Sequence, residues 1–230
     1  MRSVEERQAR AWQLREDGRQ QEAIAILIST FVEQMAGENY KAAVDTLVDM
    51  SLSYKSLSRG TGKDIYAQTA YDILIFGEQI LTGEQKEIRK DLGYYIGTAA
   101  VAIGSYKEGT TRMERAIRSN PWWTPEKRAY ISSHIGFATA KMGEHDKGEK
   151  IIRDSLEVLT KTKNENVSQG KNIMAVWRTG VKLELAQVTD DKKEADRLLQ
   201  EALNEAKTEN LGARVREVKN LIVGPLPMDN

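Results

Sequence analysis

The chain contains no cysteine. That excludes a disulfide framework, a thiol nucleophile and any thiolate-bound metal. It has only 4 prolines in 230 residues, so little interrupts helical runs. Its 2 histidines, His134 and His145, have no carboxylate at ligand spacing and read as surface or packing residues. No stretch approaches the ~20 apolar residues of a membrane span. The first ten residues are charged and lack the apolar run of a secretory signal. Neither sign of charge is in excess, with Lys+Arg at 34 and Asp+Glu at 34. Both signs are interspersed throughout, which argues against a protein that lives on phosphate backbones. The expectation is a cytoplasmic protein with no nucleic-acid or membrane partner, no metal and no cofactor. Its oligomeric state is left open.

What the chain does have is helical period. Apolar residues recur at steps of three and four: Ile24, Leu27, Ile28, Phe31; Ile73, Leu74, Phe76, Ile80, Leu81; Ile151, Ile152, Leu156, Leu159. Each set is the core stripe of an amphipathic helix. Runs alternating with β-branched residues are lacking, so the class is all-α.

Over this period lies a slower one. Small residues fall at steps of seven, five and seven: Gly97, Gly104, Gly109, Ala116, then Gly136, Gly143, Gly148, Ser155. Ala11, Gly18, Ala23, Thr30 keep the same steps, and Leu183, Asp190, Ala195, Ala202 form a degenerate copy. Such self-similarity marks stacked helix pairs. Within a pair, the first small residue sits where two helices cross and the second ends helix A. The third packs from the first turn of helix B back onto helix A. The fourth faces the next repeat.

Turn signals divide the helices at Gly18, Gly37-Glu38-Asn39, Arg59-Gly60-Thr61-Gly62, Thr82-Gly83, Gly104-Ser105, Asn120-Pro121, Gly143-Glu144 and Thr189-Asp190-Asp191. Thr124-Pro125-Glu126 reads as an N-cap, a proline at the first helical position and an acid in the first turn. Asp190 or Asp191 caps a later helix. These signals predict pairs over roughly 3–36, 38–82, 84–119, 124–161 and 167–208. A final helix over about 210–222 caps the stack. One domain is expected over 1–223, with 224–230 an extended tail after Gly224-Pro225.

Gly97, Gly104-Ser105-Tyr106, Gly109, Met113, Ala116 and Pro121, with a second copy at Gly136, Gly143, Gly148, Ile152 and Ser155, resemble the tetratricopeptide repeat family (TPR). The resemblance is good over 90–160, fair over 7–32 and weak over 38–82 and 167–208. The family repeat is near ~34 residues. Here Gly104 to Gly143 is 39 and Gly143 to Asp190 is 47, so the repeats are divergent. Longer repeats of this kind are similar to those of bacterial peptide-sensing regulators and of helical adaptors.

The resemblance implies a right-handed α-solenoid of about five antiparallel helix pairs whose first helices line a concave groove. It implies a non-catalytic protein- or peptide-binding scaffold, or, alternatively, a peptide- or ligand-gated regulator acting through another protein. The groove positions it implies are Trp12, Tyr94, Thr98, Tyr130, Ser133 and Phe137. Gln8, Gly180 and Glu184 stand at equivalent places, and Arg15 flanks them. This set lacks the Lys and Asn with which some family members grip a chaperone's terminal carboxylate. These aromatics read either as anchors for a partner segment or as packing between helices. Trp122 and Trp123, between Pro121 and Pro125, form a candidate second interface. The alternative is that one packs under the loop while the other covers a helix end. Arg59 to Asp64 has the look of a phosphate loop, but Leu57 stands where the leading glycine belongs and Asp64 follows the lysine. It is an inter-helix turn.

Overall fold

The computed structural model describes residues 3–81, 86–162, 167–168 and 171–223. The Thr82-Gly83 turn and the 224–230 tail lie outside these. The described residues form eleven helices and one two-residue antiparallel strand pair, Val167–Ser168 with Lys171–Asn172. The helices are α1 (Val4–Glu16), α2 (Gln20–Ala36), α3 (Tyr40–Thr61), α4 (Asp64–Ile80), α5 (Lys86–Ala102), α6 (Tyr106–Ser119), α7 (Pro125–Lys141), α8 (His145–Lys161), α9 (Ile173–Ala186), α10 (Lys192–Thr208) and α11 (Gly212–Val223). They pack as consecutive pairs, α1 with α2 through α9 with α10, and each pair packs on the next.

Local chemistry sets the helix ends. Ser3 and Glu6 form a reciprocal capping box at the start of α1. Asn39, Thr124, Asn172 and Asp191 each accept a backbone N–H at the starts of α3, α7, α9 and α10. Of the two candidate aspartates, Asp191 is the cap. Gly18, Gly104 and Gly143 end α1, α5 and α7 at φ of +86°, +81° and +95°. A side chain would be strained there. One boundary differs from the sequence reading. The helix α3 runs through Gly60 to Thr61, and Gly62 alone makes the left-handed turn.

The glycine cadence acts by close approach. A Cβ on Gly148 would lie 2.5 Å from the Gly136 carbonyl oxygen, and one on Gly136 would lie 2.8 Å from that of Gly148. Gly97 and Gly109 face each other in the same way, at 3.0 and 2.9 Å. The backbones of α5 and α6, and of α7 and α8, therefore meet where no other residue fits. Ala116, Ser155, Thr30 and Ala202, the fourth members of the cadence, are buried.

The core is a string of clusters rather than one centre, as expected of a solenoid. Ala11, Leu14, Leu27 and Leu47 join the first helices; Leu74, Leu92 and Ile96 follow; then Met113, Trp123 and Ile131; then Ile152, Leu159, Val181 and Leu185.

The last helix does more than cap. Val218 packs on Leu183, Ala202 and Leu203 and so covers the end of the stack. The same helix also reaches back to the first two repeats. Gly212 lies so close to α1 that a Cβ would sit 2.5 Å from the Glu16 carbonyl oxygen. The Ala213 N–H donates to Glu16 Oε2 at 3.0 Å, and Arg216 Nη2 donates to the Arg15 carbonyl at 2.7 Å. Asn220 Nδ2 donates to the Arg59 carbonyl at 3.2 Å, and Arg59 pairs with Glu217 at 2.8 Å. The stack curves until its last helix touches its first.

Candidate functional site: a cavity under the last helix

Every odd-numbered helix contributes to one cavity of about 900 Å³. Its wall includes Arg15 from α1, Lys55 and Arg59 from α3, and Tyr94, Tyr95 and Thr98 from α5. Tyr130 and His134 come from α7, Val176 and Trp177 from α9, and Arg214, Arg216 and Glu217 from α11. The first helices of the pairs thus line the concave face, and α11 lies along it.

Of the six residues assigned to the groove from sequence, Tyr94, Thr98 and Tyr130 line this cavity. Ser133 is fully buried, its hydroxyl donating to the Tyr130 carbonyl at 2.8 Å. Phe137 packs on the core cluster of α7 to α10, with Lys141 Nζ 5.2 Å from its ring centre. Trp12 is half-buried and outside the cavity wall. The two tryptophans of the loop part company. Trp123 is buried against Tyr94, Met113 and Ile131 with Lys127 over its ring, while Trp122 is 62% exposed.

The aromatic wall is continuous. Tyr94 meets Tyr95 at 4.8 Å between ring centres and Tyr130 edge-on at 6.4 Å. Tyr130 stacks on Trp177 at 5.3 Å with planes 13° apart. Burial pushes the phenols of Tyr94 and Tyr130 above their ordinary range, so both stay neutral donors. His134 pairs through Nδ1 with Glu184 of α9. The sequence reading found no carboxylate for this histidine. The partner comes from a neighbouring repeat, 50 residues away.

Sequence reasoning did not find Lys55. Its Nζ donates to Thr98 Oγ1 at 3.0 Å, and Thr98 in turn donates to the Tyr95 carbonyl at 2.9 Å. Burial, reinforced by the charge of Arg59, lowers the Lys55 ammonium to about 7. The one available signal was a helix whose buried face is rich in Ser and Thr: Thr46, Ser51 and Ser53 are buried beside it. Glu217 is held below the usual carboxylate range. Burial opposes this, but Arg214, Arg59 and Lys55 outweigh it.

Basic side chains outnumber acidic ones around the cavity. Arg15, Arg19, Lys55, Arg59, Lys127, Arg214, Arg216 and Lys219 face Glu16, Glu22 and Glu217. The whole chain is neutral, so the fold gathers positive charge here. Among the described residues no cluster of His, Asp and Glu has the makings of a metal site. No described helix is long and apolar enough to cross a membrane.

Paired helices in a curved stack with the first helices inward decide the architecture. The fold is TPR-like. Two solved structures share it. One is a crystal structure of nearly identical TPR-like repeats from a Podosopora anserina protein described as kinesin light chain. It is 16% identical and covers 89% of this chain and 95% of its own, with a TM-score of 0.56. A second structure of such repeats is 15% identical and covers 97% and 99%, with a TM-score of 0.55. No protein-family profile matches the chain, and no curated protein does. This TPR-like chain keeps the helix-pair stack of those structures at 15–16% sequence identity.

Proposed function

We propose that this TPR-like chain is a non-catalytic cytoplasmic scaffold that binds a protein or peptide partner on its concave face, around Tyr94, Thr98 and Tyr130. The supporting observation is the cavity formed by all the inward helices, lined by aromatics that anchor partner side chains well. A photo-crosslinking amino acid tests the reading when placed at the position of Trp177 in one variant and of Trp122 in another. A partner captured from the Trp177 position and not from Trp122 supports the concave site. Capture from Trp122 alone moves the interface to the exposed loop and overturns it.

A second reading has its own observation. The α11 helix is held to α1 and α3 largely by hydrogen bonds and the Arg59–Glu217 pair, contacts that exchange with water more readily than packed apolar surface. In a ligand-gated regulator, a ligand entering the cavity changes how α11 sits and alters its fit to another protein. Hydrogen exchange of 212–223 that is unchanged in the presence of a bound ligand would remove this reading.

A further inference from the structure

The cations around the cavity are unequally neutralised. Arg59 and Arg214 share the single carboxylate of Glu217. Arg216 spends a hydrogen bond on the Arg15 carbonyl. Lys55 has an uncharged hydroxyl as its hydrogen-bond partner; Glu217 and Glu184 attract it, while Arg59 and Arg214 repel it. No hydrogen bond or ion pair reaches the Arg15 guanidinium among the described residues. Asp49 and Glu16 attract it at longer range, and burial outweighs them. Elsewhere in the molecule Arg112 sits between Glu78 and Glu108, and Arg153 between Glu149 and Glu194. Arg15 and Lys55, which lack a carboxylate within hydrogen-bond reach, both open onto the cavity.

A cation withdrawn from water without a counter-charge is costly. A bound oxyanion would relieve that cost by charge-assisted hydrogen bonds, which are the stronger kind. The same wall carries a flat aromatic surface, the stacked pair Tyr130 and Trp177. The volume of about 900 Å³ falls within the range of small-molecule sites.

We propose that the cavity under α11 is a site for a small organic anion. Its carboxylate or phosphate group is held by Lys55, with Arg15 elsewhere on the wall adding attraction, and an aromatic or other apolar body lies against Tyr130 and Trp177. This inference rests on the reading of the concave cavity as the binding site and names the chemistry it selects.

The test is calorimetric titration of the full chain at pH 6 with phenyl phosphate, benzoate and benzylamine. The same titrations are run on Arg15→Gln and Lys55→Met. One of the two anions should bind at one equivalent, and which one distinguishes phosphate from carboxylate. Benzylamine, a cation of similar shape, should not bind. Lys55→Met should weaken the anion by about tenfold or more, and Arg15→Gln by less. Lys55→Met should also melt higher than the unliganded parent, because it removes an under-neutralised buried charge. That keeps loss of binding distinct from loss of fold. Absence of binding by both anions overturns the proposal, as does equal binding of benzylamine or an affinity unchanged in Lys55→Met. A partner crosslinked from the Trp177 position with no anion bound overturns the ligand class alone. Failure of both measurements overturns the concave site itself.

Discussion

The α7–α8 pair and the contact of α11 with the first two repeats are held in different ways. Between α7 and α8 the backbones meet at Gly136 and Gly148, with Ile152 and Leu159 fully buried alongside. Between α11 and the first two repeats there is one close backbone approach, Gly212 to Glu16, and the other contacts named are polar: Glu16 with Ala213, Arg216 with a carbonyl, Arg59 with Glu217. Close-packed backbone has one arrangement, whereas a few hydrogen bonds and an ion pair with one exposed partner are more readily exchanged. The first kind of contact makes a frame, and the second makes a closure that is able to open while the frame stands.

The sharpest way to break this comparison is in the frame. Gly148→Ala places a methyl 2.5 Å from two backbone atoms, the Gly136 oxygen and the Ala140 nitrogen, neither able to move aside. It should cost about 3 kcal/mol in urea unfolding, the upper part of the usual overpacking range. Gly212→Ala makes a like clash, 2.5 Å from the Glu16 oxygen, but at the closure. It should cost less, about 1–2 kcal/mol. Hydrogen exchange should rise over 212–223 while the α7 and α8 amides stay protected. Equal exchange in both regions would show that closure and frame open together.

Acid should act on the closure as well. Glu217 has a lowered folded pKa, so its contribution is present above the unfolded value near 4.5 and is lost as pH falls through the folded value. Exchange of 212–223 should therefore rise below about pH 4, and Glu217→Gln should show the same loosening at neutral pH.

Lys55 works in the other direction. Its folded value of about 7 lies below the ordinary 10.5, so the unfolded chain binds the extra proton between them and stability rises with pH across that window. Burial sets this first; Arg59 on α3 and Arg214 on α11 add to it, and Glu217 on α11 and Glu184 on α9 oppose it. The parent chain should gain stability from pH 7 to pH 9 relative to Lys55→Met. The smallest effect is expected at Trp122, which is 62% exposed: Trp122→Ala should change stability by no more than about 0.5 kcal/mol.

The frame was legible in the sequence because its rules are local. Gly97 and Gly109, or Gly136 and Gly148, stand twelve residues apart on two helices joined by one turn, and that spacing alone brings them together. Caps such as Thr124 and Asp191 are likewise decided within four residues. The cavity was legible only in part. Tyr94, Thr98 and Tyr130 fall at inward positions of strong repeats. Lys55 lies in a repeat where the cadence is lost, and His134 finds Glu184 across a repeat boundary. The α11 contacts join residues 161 to 201 positions apart. They depend on the curvature summed over every repeat, and no single periodicity records that sum.

The meeting of Gly212 and Ala213 with Glu16 also changes how the molecule comes apart. A linear array of repeats loosens from its ends, since an end repeat has one neighbour where an inner one has two. Here the terminal helices are neighbours of each other. Unwinding that starts at α1 exposes the seat of α11, and unwinding at α11 uncovers the C-terminal turn of α1. The array is thus a closed circuit in which α1 and α11 cover one another, joined across a gap that the chain itself takes almost two hundred residues to travel.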